Sequence, residues 1–254
     1  MFKIYCGKLA FRISVFLIAL YAYIYKPALL NWVMADGPVD EIYWIYIIWA
    51  ILMGGMVLDM FPNHRLTMGN KKRLAKLHAP VKNYDKLEMY RYIQRNNVGA
   101  MRTLIVWLSF NAIFGILFLK GVITAKELIL LSLFFYVCDL ICVVIWCPFQ
   151  QFFMKNKCCV NCRIFNWGHF MMFTPLLFIA HFLTWSLFFT ALIVMLKWEL
   201  TLLHHPERFW ENSNKNLQCA HCQDKICKFK KPQFLDLITS VPDEDETDSD
   251  NSEK

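Results

Sequence analysis

The stretch LILLSLFFYVCDLICVVIW, residues 128–146, decides the class of fold. It is apolar throughout except for Ser132 and Asp139. At about 1.5 Å of rise per residue, a helix of this length crosses the ~30 Å hydrocarbon core of a bilayer. In lipid the backbone must satisfy its own N–H and C=O groups, so such a run is helical. Four more runs resemble it: residues 9–25, which continue past Lys26-Pro27 toward Met34, then 42–61, 103–119 and 170–200. Composition agrees. The 254 residues are 57% hydrophobic and 19% charged, against about 45–50% and 25% in soluble domains. This excludes a soluble globular domain, and disorder over most of the chain. The expected fold is all-α: a polytopic membrane protein with about five transmembrane helices in residues 1–200. A cysteine-rich tail (201–234) and an acidic, disordered terminus (235–254) should follow.

Charge orients these spans. Lys3, Lys8 and Arg12 precede or open the first run, and no small-x-small cleavage site follows it closely, so it reads as an uncleaved span. Residues 62–102 hold ten Lys and Arg, and Lys155, Lys157 and Arg163 follow the fourth run. The loops between hold only Lys26, then Lys120 and Lys126. By the positive-inside rule the N-terminus, the basic loop 62–102 and the cysteine loop 147–166 face the cytoplasm of a multi-pass plasma-membrane protein. Five full crossings then put the tail outside. Its Lys197, Arg208, Lys215, Lys225, Lys228, Lys230 and Lys231 would equally suit the cytoplasm. A re-entrant fifth segment would allow that, although 31 residues are short for two crossings. Residues 69–95 mix Leu, Val, Met and Tyr with Lys and Arg, which reads as an amphipathic interfacial stretch broken at Pro80, or as a solvated basic loop. The last twelve residues carry seven acids and one Lys; the rest has 26 Lys and Arg against 13 acids. Positive charge placed between hydrophobic runs points to a bilayer with anionic head groups as the partner, not to nucleic acid.

Nine of the ten cysteines lie in the second half. Cys147-Pro148 closes the fourth run, and Cys158, Cys159 and Cys162 follow. A C-x2-C pair makes a knuckle that aims two sulfurs at one metal, so these four thiolates suit tetrahedral zinc or an iron–sulfur cluster. Cys219, Cys222 and Cys227 form a second knuckle, with His221, His204 or His205 as a fourth ligand. Cys159/Cys162 and Cys219/Cys222 could also be halves of one site, which requires both on one membrane face. Exchangeable thiols, and inert or lipidated cysteines, are the other readings.

Within the spans, Cys138 and Cys142 share a helix face beside Asp139. An intramembrane acid points to function by default, or to a partner across helices such as Asn111. His181 and Trp185 are four apart in the fifth run; a membrane His more often bonds a neighbouring group than a metal. Asp59 and His64 flank Phe61-Pro62 and read as interface markers. Walker A, G-x-G-x-x-G, H-E-x-x-H, G-x-S-x-G and C-x2-C-H motifs are absent.

The residues Cys147-Pro148-Phe149-Gln150, Met154 to Ile164, Asn166-Trp167, Met171 to Pro175, His204 to Phe209 and the Cys219/Cys222/Cys227 triplet carry a resemblance. This C-terminal half resembles a functionally uncharacterised family of multi-span, cysteine-rich membrane proteins of anaerobic Gram-positive bacteria. In that pattern Asp follows Asn-Trp, where this chain has Gly168. Asn70 stands after Met68-Gly69 where the pattern has cysteine. The resemblance implies a setting in which iron–sulfur or reduced thiol sites survive.

The leading expectation is a metal-cysteine membrane protein, structural or redox, with zinc or an iron–sulfur cluster on Cys147, Cys158, Cys159, Cys162, Cys219, Cys222, Cys227 and His221. The alternatives are a membrane thiol–disulfide oxidoreductase, using Cys138/Cys142 or Cys159/Cys162 with a quinone-like acceptor, and a soft-metal transporter using Cys138, Asp139, Cys142 and His181. A redox partner or a second copy of the chain is the expected protein partner.

Overall fold

The computed structural model describes residues 2–25, 39–61, 78–156, 158 and 161–221, with side chains from Tyr5 and Tyr46 onward in the first two stretches. Cys159, Cys222, Cys227, the first part of the basic loop and the acidic terminus lie outside the described residues. The helices are α1 (Phe2–Tyr25), α2 (Val39–Met60), α3 (Lys86–Leu119), α4 (Ala125–Val144), α5 (Gly168–Phe173) and α6 (Phe182–His204). The protein is an all-α bundle: α1, α3, α4 and α6 are long and apolar enough to cross a membrane, and Tyr46–Met60 of α2 is a shorter apolar helix.

Side-chain contacts fix the directions. α1 runs antiparallel to α4, because Arg12 meets Asp139 at 2.7 Å while the Tyr23 hydroxyl donates to Glu127 at 2.6 Å. α2 runs parallel to α6: Trp49 Nε1 donates to Ser186 Oγ at 2.8 Å, and Lys197 Nζ donates to the Met60 carbonyl at 2.6 Å. Leu128, Ala191, Val194 and Met56 fill the centre of the resulting core.

α3 has 34 residues and is therefore about 51 Å long, well beyond a ~30 Å core. Its first turns, with Lys86, Arg91, Arg95 and Arg102, extend past the apolar part. Asp85 caps them by accepting from the Leu87 N–H at 2.8 Å. The stretch read as a basic loop is thus helical from residue 86. No Gly or Pro interrupts residues 86–98, and hydropathy alone registers only the part beyond Thr103.

The fifth run is not one helix. Pro175 has no N–H to continue α5, and the chain passes into a 3-10 turn, Thr174–Phe178, then extended Ile179. It reverses at His181, the N-cap of α6, whose Nδ1 accepts from the Leu183 N–H at 3.3 Å. Residues 168–178 run antiparallel to α4: Gly168 lies beside Asp139, and Ser132 Oγ donates to the Met172 carbonyl at 2.8 Å. Farther along, Trp107 Nε1 donates to Thr174 Oγ1 at 3.2 Å. Phe178 then packs over Gly115, where a Cβ would stand 2.3 Å from the ring. Six α and five 3-10 residues advance only ~19 Å, so this is a broken segment, shorter than the helices it packs against. Its irregular backbone is tolerated because Thr174, Pro175 and Leu176 are buried in protein.

α6 then returns the chain to the end it left. Val81 N donates to the Ser213 carbonyl at 3.1 Å, Lys215 N to the Ala79 carbonyl at 2.9 Å, and Asn161 Nδ2 to Glu211 Oε2 at 3.0 Å. Trp210 packs on Tyr84 and Tyr92. Residues 206–221 therefore share one end of the bundle with residues 78–92 and with Asn161. Of the two placements the sequence allows for the tail, this packing fits the one at the N-terminal end of the bundle and not the one that five full crossings give. Five crossings treat residues 170–200 as one helix, whereas residues 163–181 run one way along the bundle and α6 runs back.

Candidate site: a thiol-lined apolar cavity beside an ionic one

Cys142 stands in the last turn of α4. Beyond Val144 the helix loosens, and Trp146 N donates back to the Ile141 carbonyl at 3.1 Å. Cys147-Pro148 then starts a short π-helix, Phe149–Met154. This turn brings Cys147 back onto Cys142, and the two side chains are in hydrogen-bond contact. Both are thiols. The Gln150 N–H also donates to Cys147 Sγ at 3.4 Å, a donor suited to a sulfur anion. Gln150 Nε2 donates to the Asn156 carbonyl at 2.7 Å and closes the loop.

The pair lines a cavity of about 490 Å³, within the ~300–1,000 Å³ range of cofactor-sized sites. Trp107, Phe110, Phe135, Phe149 and Phe165 give it aromatic walls, and Cys138 and Cys162 also reach it. Cys162 is 3% exposed. The turn after it is anchored on α6, where Glu199 accepts from Arg163 and, at 2.8 Å, from Trp167 Nε1.

A second cavity of about 170 Å³ adjoins the first and is ionic. Arg12 Nη1 donates to Asp139 Oδ2 at 2.7 Å and to the Tyr136 carbonyl at 2.6 Å, and its guanidinium lies 4.0 Å from the Tyr136 ring centre. On the other wall His169 Nε2 meets Asp59 Oδ2 at 3.0 Å, with Lys8 nearby. Asp139, Val143, Phe165 and Gly168 line both cavities. A Cβ at position 168 would stand 2.6 Å from Asp139 Oδ1, so glycine permits this approach.

The sequence-derived residues divide accordingly. Cys138, Asp139, Cys142, Cys147 and Cys162 come together. Cys158 packs instead with Val143 and Leu217, and Cys219 is exposed. Among the described residues no group of three His, Cys, Asp or Glu side chains is placed to hold a metal ion. Asn111 does not pair with Asp139: its Nδ2 donates to the Trp107 carbonyl at 2.9 Å, because it faces the broken segment rather than α1. His181 caps α6 at the other end of the bundle, so it does not join Cys138, Asp139 and Cys142 in one path. His221 ends the described chain in a short 3-10 turn. Sequence reasoning missed Arg12, Asp59 and His169 as one cluster. By charge alone Arg12 reads as part of a basic N-terminal flank, although it lies inside the first apolar run, opposite Asp139.

Comparison with known protein families, curated proteins and solved structures gives no match.

Proposed function

We propose that this protein is a membrane thiol–disulfide oxidoreductase in which the Cys142/Cys147 pair passes two electrons to a quinone-class acceptor in the apolar cavity. The observation that carries this reading is the contact between the two thiols on the wall of that cavity. The step balances: two S–H bonds break, one S–S bond forms, and the quinone gains two electrons and two protons to become a quinol. Cys147 is the nucleophile, because the Gln150 N–H favours its anion. Aromatic walls stack a planar ring and exclude water. The electron pair is replenished by thiol exchange with a dithiol partner at the cysteine end of the bundle. With that end cytoplasmic, as the Lys and Arg distribution favours, the N-terminus, the tail and the exchange site share one compartment of a multi-pass plasma-membrane protein.

The pair differs from the expected Cys159/Cys162, of which Cys159 lies outside the described residues, and from the expected Cys138/Cys142. Those two share a helix face, but Cys147 is the thiol brought into contact with Cys142. The test is anaerobic: reduced protein in lipid nanodiscs is mixed with a short-chain quinone and quinol formation is followed optically. About one quinol per chain is expected from the wild type, and none from Cys142→Ser or Cys147→Ser. Equal quinol formation by both variants would remove the assignment.

A further inference from the structure

The chemistry proposed above moves protons as well as electrons, and the apolar cavity is poorly equipped for that. A thiolate or a partly reduced quinone is costly in such surroundings unless protons move with the electrons. Apart from the thiols, Asp139 is the titratable side chain on its described wall. Asp139 also lines the ionic cavity. Arg12 holds its Oδ2, and its Oδ1 is the oxygen against Gly168, between the two cavities.

We propose that the ionic cavity is a hydrated proton path serving the thiol cavity, with Asp139 as the station between them and the His169–Asp59 pair on the opposite wall. The inference rests on the thiol–quinone reading. At about 170 Å³, with polar groups on several sides, the cavity suits several waters, each needing ~10–15 Å³ of such volume and two to four polar partners. The groups facing Asp139 are near balance. α1 supplies Arg12, Lys8 and Tyr5, α2 supplies Asp59, and the broken segment supplies His169. α4 itself adds Cys138 and Cys142, while α6 contributes only uncharged Val194 and Trp198. Two carboxylates against Lys8 and Arg12 let a proton enter without leaving a large unbalanced charge in the bundle. In the step, the Cys147 and Cys142 protons pass in turn to the Asp139 carboxylate and on to the water chain, and two protons return by the same route to the quinone oxygens. No net proton is gained or lost.

The test uses reduced full-length protein in nanodiscs and a short-chain quinone, with the rate of quinol formation followed across pH and in H₂O and D₂O. The paired variant Arg12→Gln/Asp139→Asn removes both charges together. It should retain its thiols, yet slow at saturating quinone on the order of 10²-fold, the scale of a lost acid–base group. It should also lose the pH break and solvent isotope effect of the wild type. His169→Gln keeps a hydrogen-bonding side chain beside Asp59; it should shift the pH break and slow the rate less. That variant carries the test if the paired one does not fold. An unchanged rate and pH profile in the variant that folds would overturn the proton path while leaving the thiol–quinone reading intact. Wild-type protein that makes no quinol would overturn both.

Discussion

Replacing Asp139 by Asn should destabilise the bundle in a way that a second substitution reverses. The carboxylate sits 2.7 Å from Arg12, with side-chain exposures of 32% and 18%. Removing one partner of a buried ion pair costs about 3–5 kcal/mol, because a charge is left uncompensated. Arg12 would keep its bond to the Tyr136 carbonyl and its place over the Tyr136 ring. The ring contact is worth about 0.5–2 kcal/mol and was already present, so it limits the loss without adding stability. Partial exposure lowers the figure further, leaving about 2–3 kcal/mol. At roughly 2–4 °C per kcal/mol for a chain of this size, Tm should fall by about 4–12 °C. Arg12→Gln/Asp139→Asn leaves no orphaned charge and should recover to within about 1 kcal/mol of the wild type. The assay is thermal unfolding in mild detergent, followed by the fluorescence of the nine tryptophans. If Asp139→Asn melts with the wild type, or if the paired variant is as unstable as the single one, the two side chains are not energetically coupled.

Three further outcomes follow from the packing. Gly168→Ala puts a Cβ 2.6 Å from Asp139 Oδ1, whereas Gly7→Ala meets nothing within 4 Å. The first should cost about 1–3 kcal/mol as overpacking and the second should be near neutral, both read from Tm. Asn214 is fully buried, accepts from the Ala79 and Asn216 N–H groups at 3.3 and 3.2 Å, and donates to the Arg208 carbonyl at 3.1 Å. Asn214→Ala should loosen residues 206–221 by about 1–3 kcal/mol and speed limited proteolysis there. Epitope tags at the N-terminus and the C-terminus should be reached from the same side of sealed vesicles; tags on opposite sides would contradict the return of α6.

Much of the architecture was legible because lipid solvent imposes simple rules. The run at residues 128–146 reads as a span from length and apolarity, and α4 covers Ala125–Val144. The fifth run was legible in composition but not in shape. Thr174-Pro175 signals a break, yet what holds the broken segment in the bundle is burial against Trp107, Ser132 and Gly115, a set of contacts distant in sequence. The site was half legible. Asp139 declared itself as an acid in lipid, and the cysteines by number. Spacing favoured Cys138/Cys142 because i and i+4 share a helix face. The Cys142/Cys147 contact depends instead on the turn after Val144. Arg12 and His169 became meaningful only once α1 and the broken segment were known to flank α4.

The central claim is a redox-active Cys142/Cys147 pair facing the apolar cavity. Its most direct test is peptide mass spectrometry of protein treated anaerobically with one equivalent of short-chain quinone, then alkylated and digested. A Cys142–Cys147 disulfide, with the remaining thiols alkylated, is the predicted result. Full alkylation of both cysteines after quinone treatment of folded protein would contradict the account.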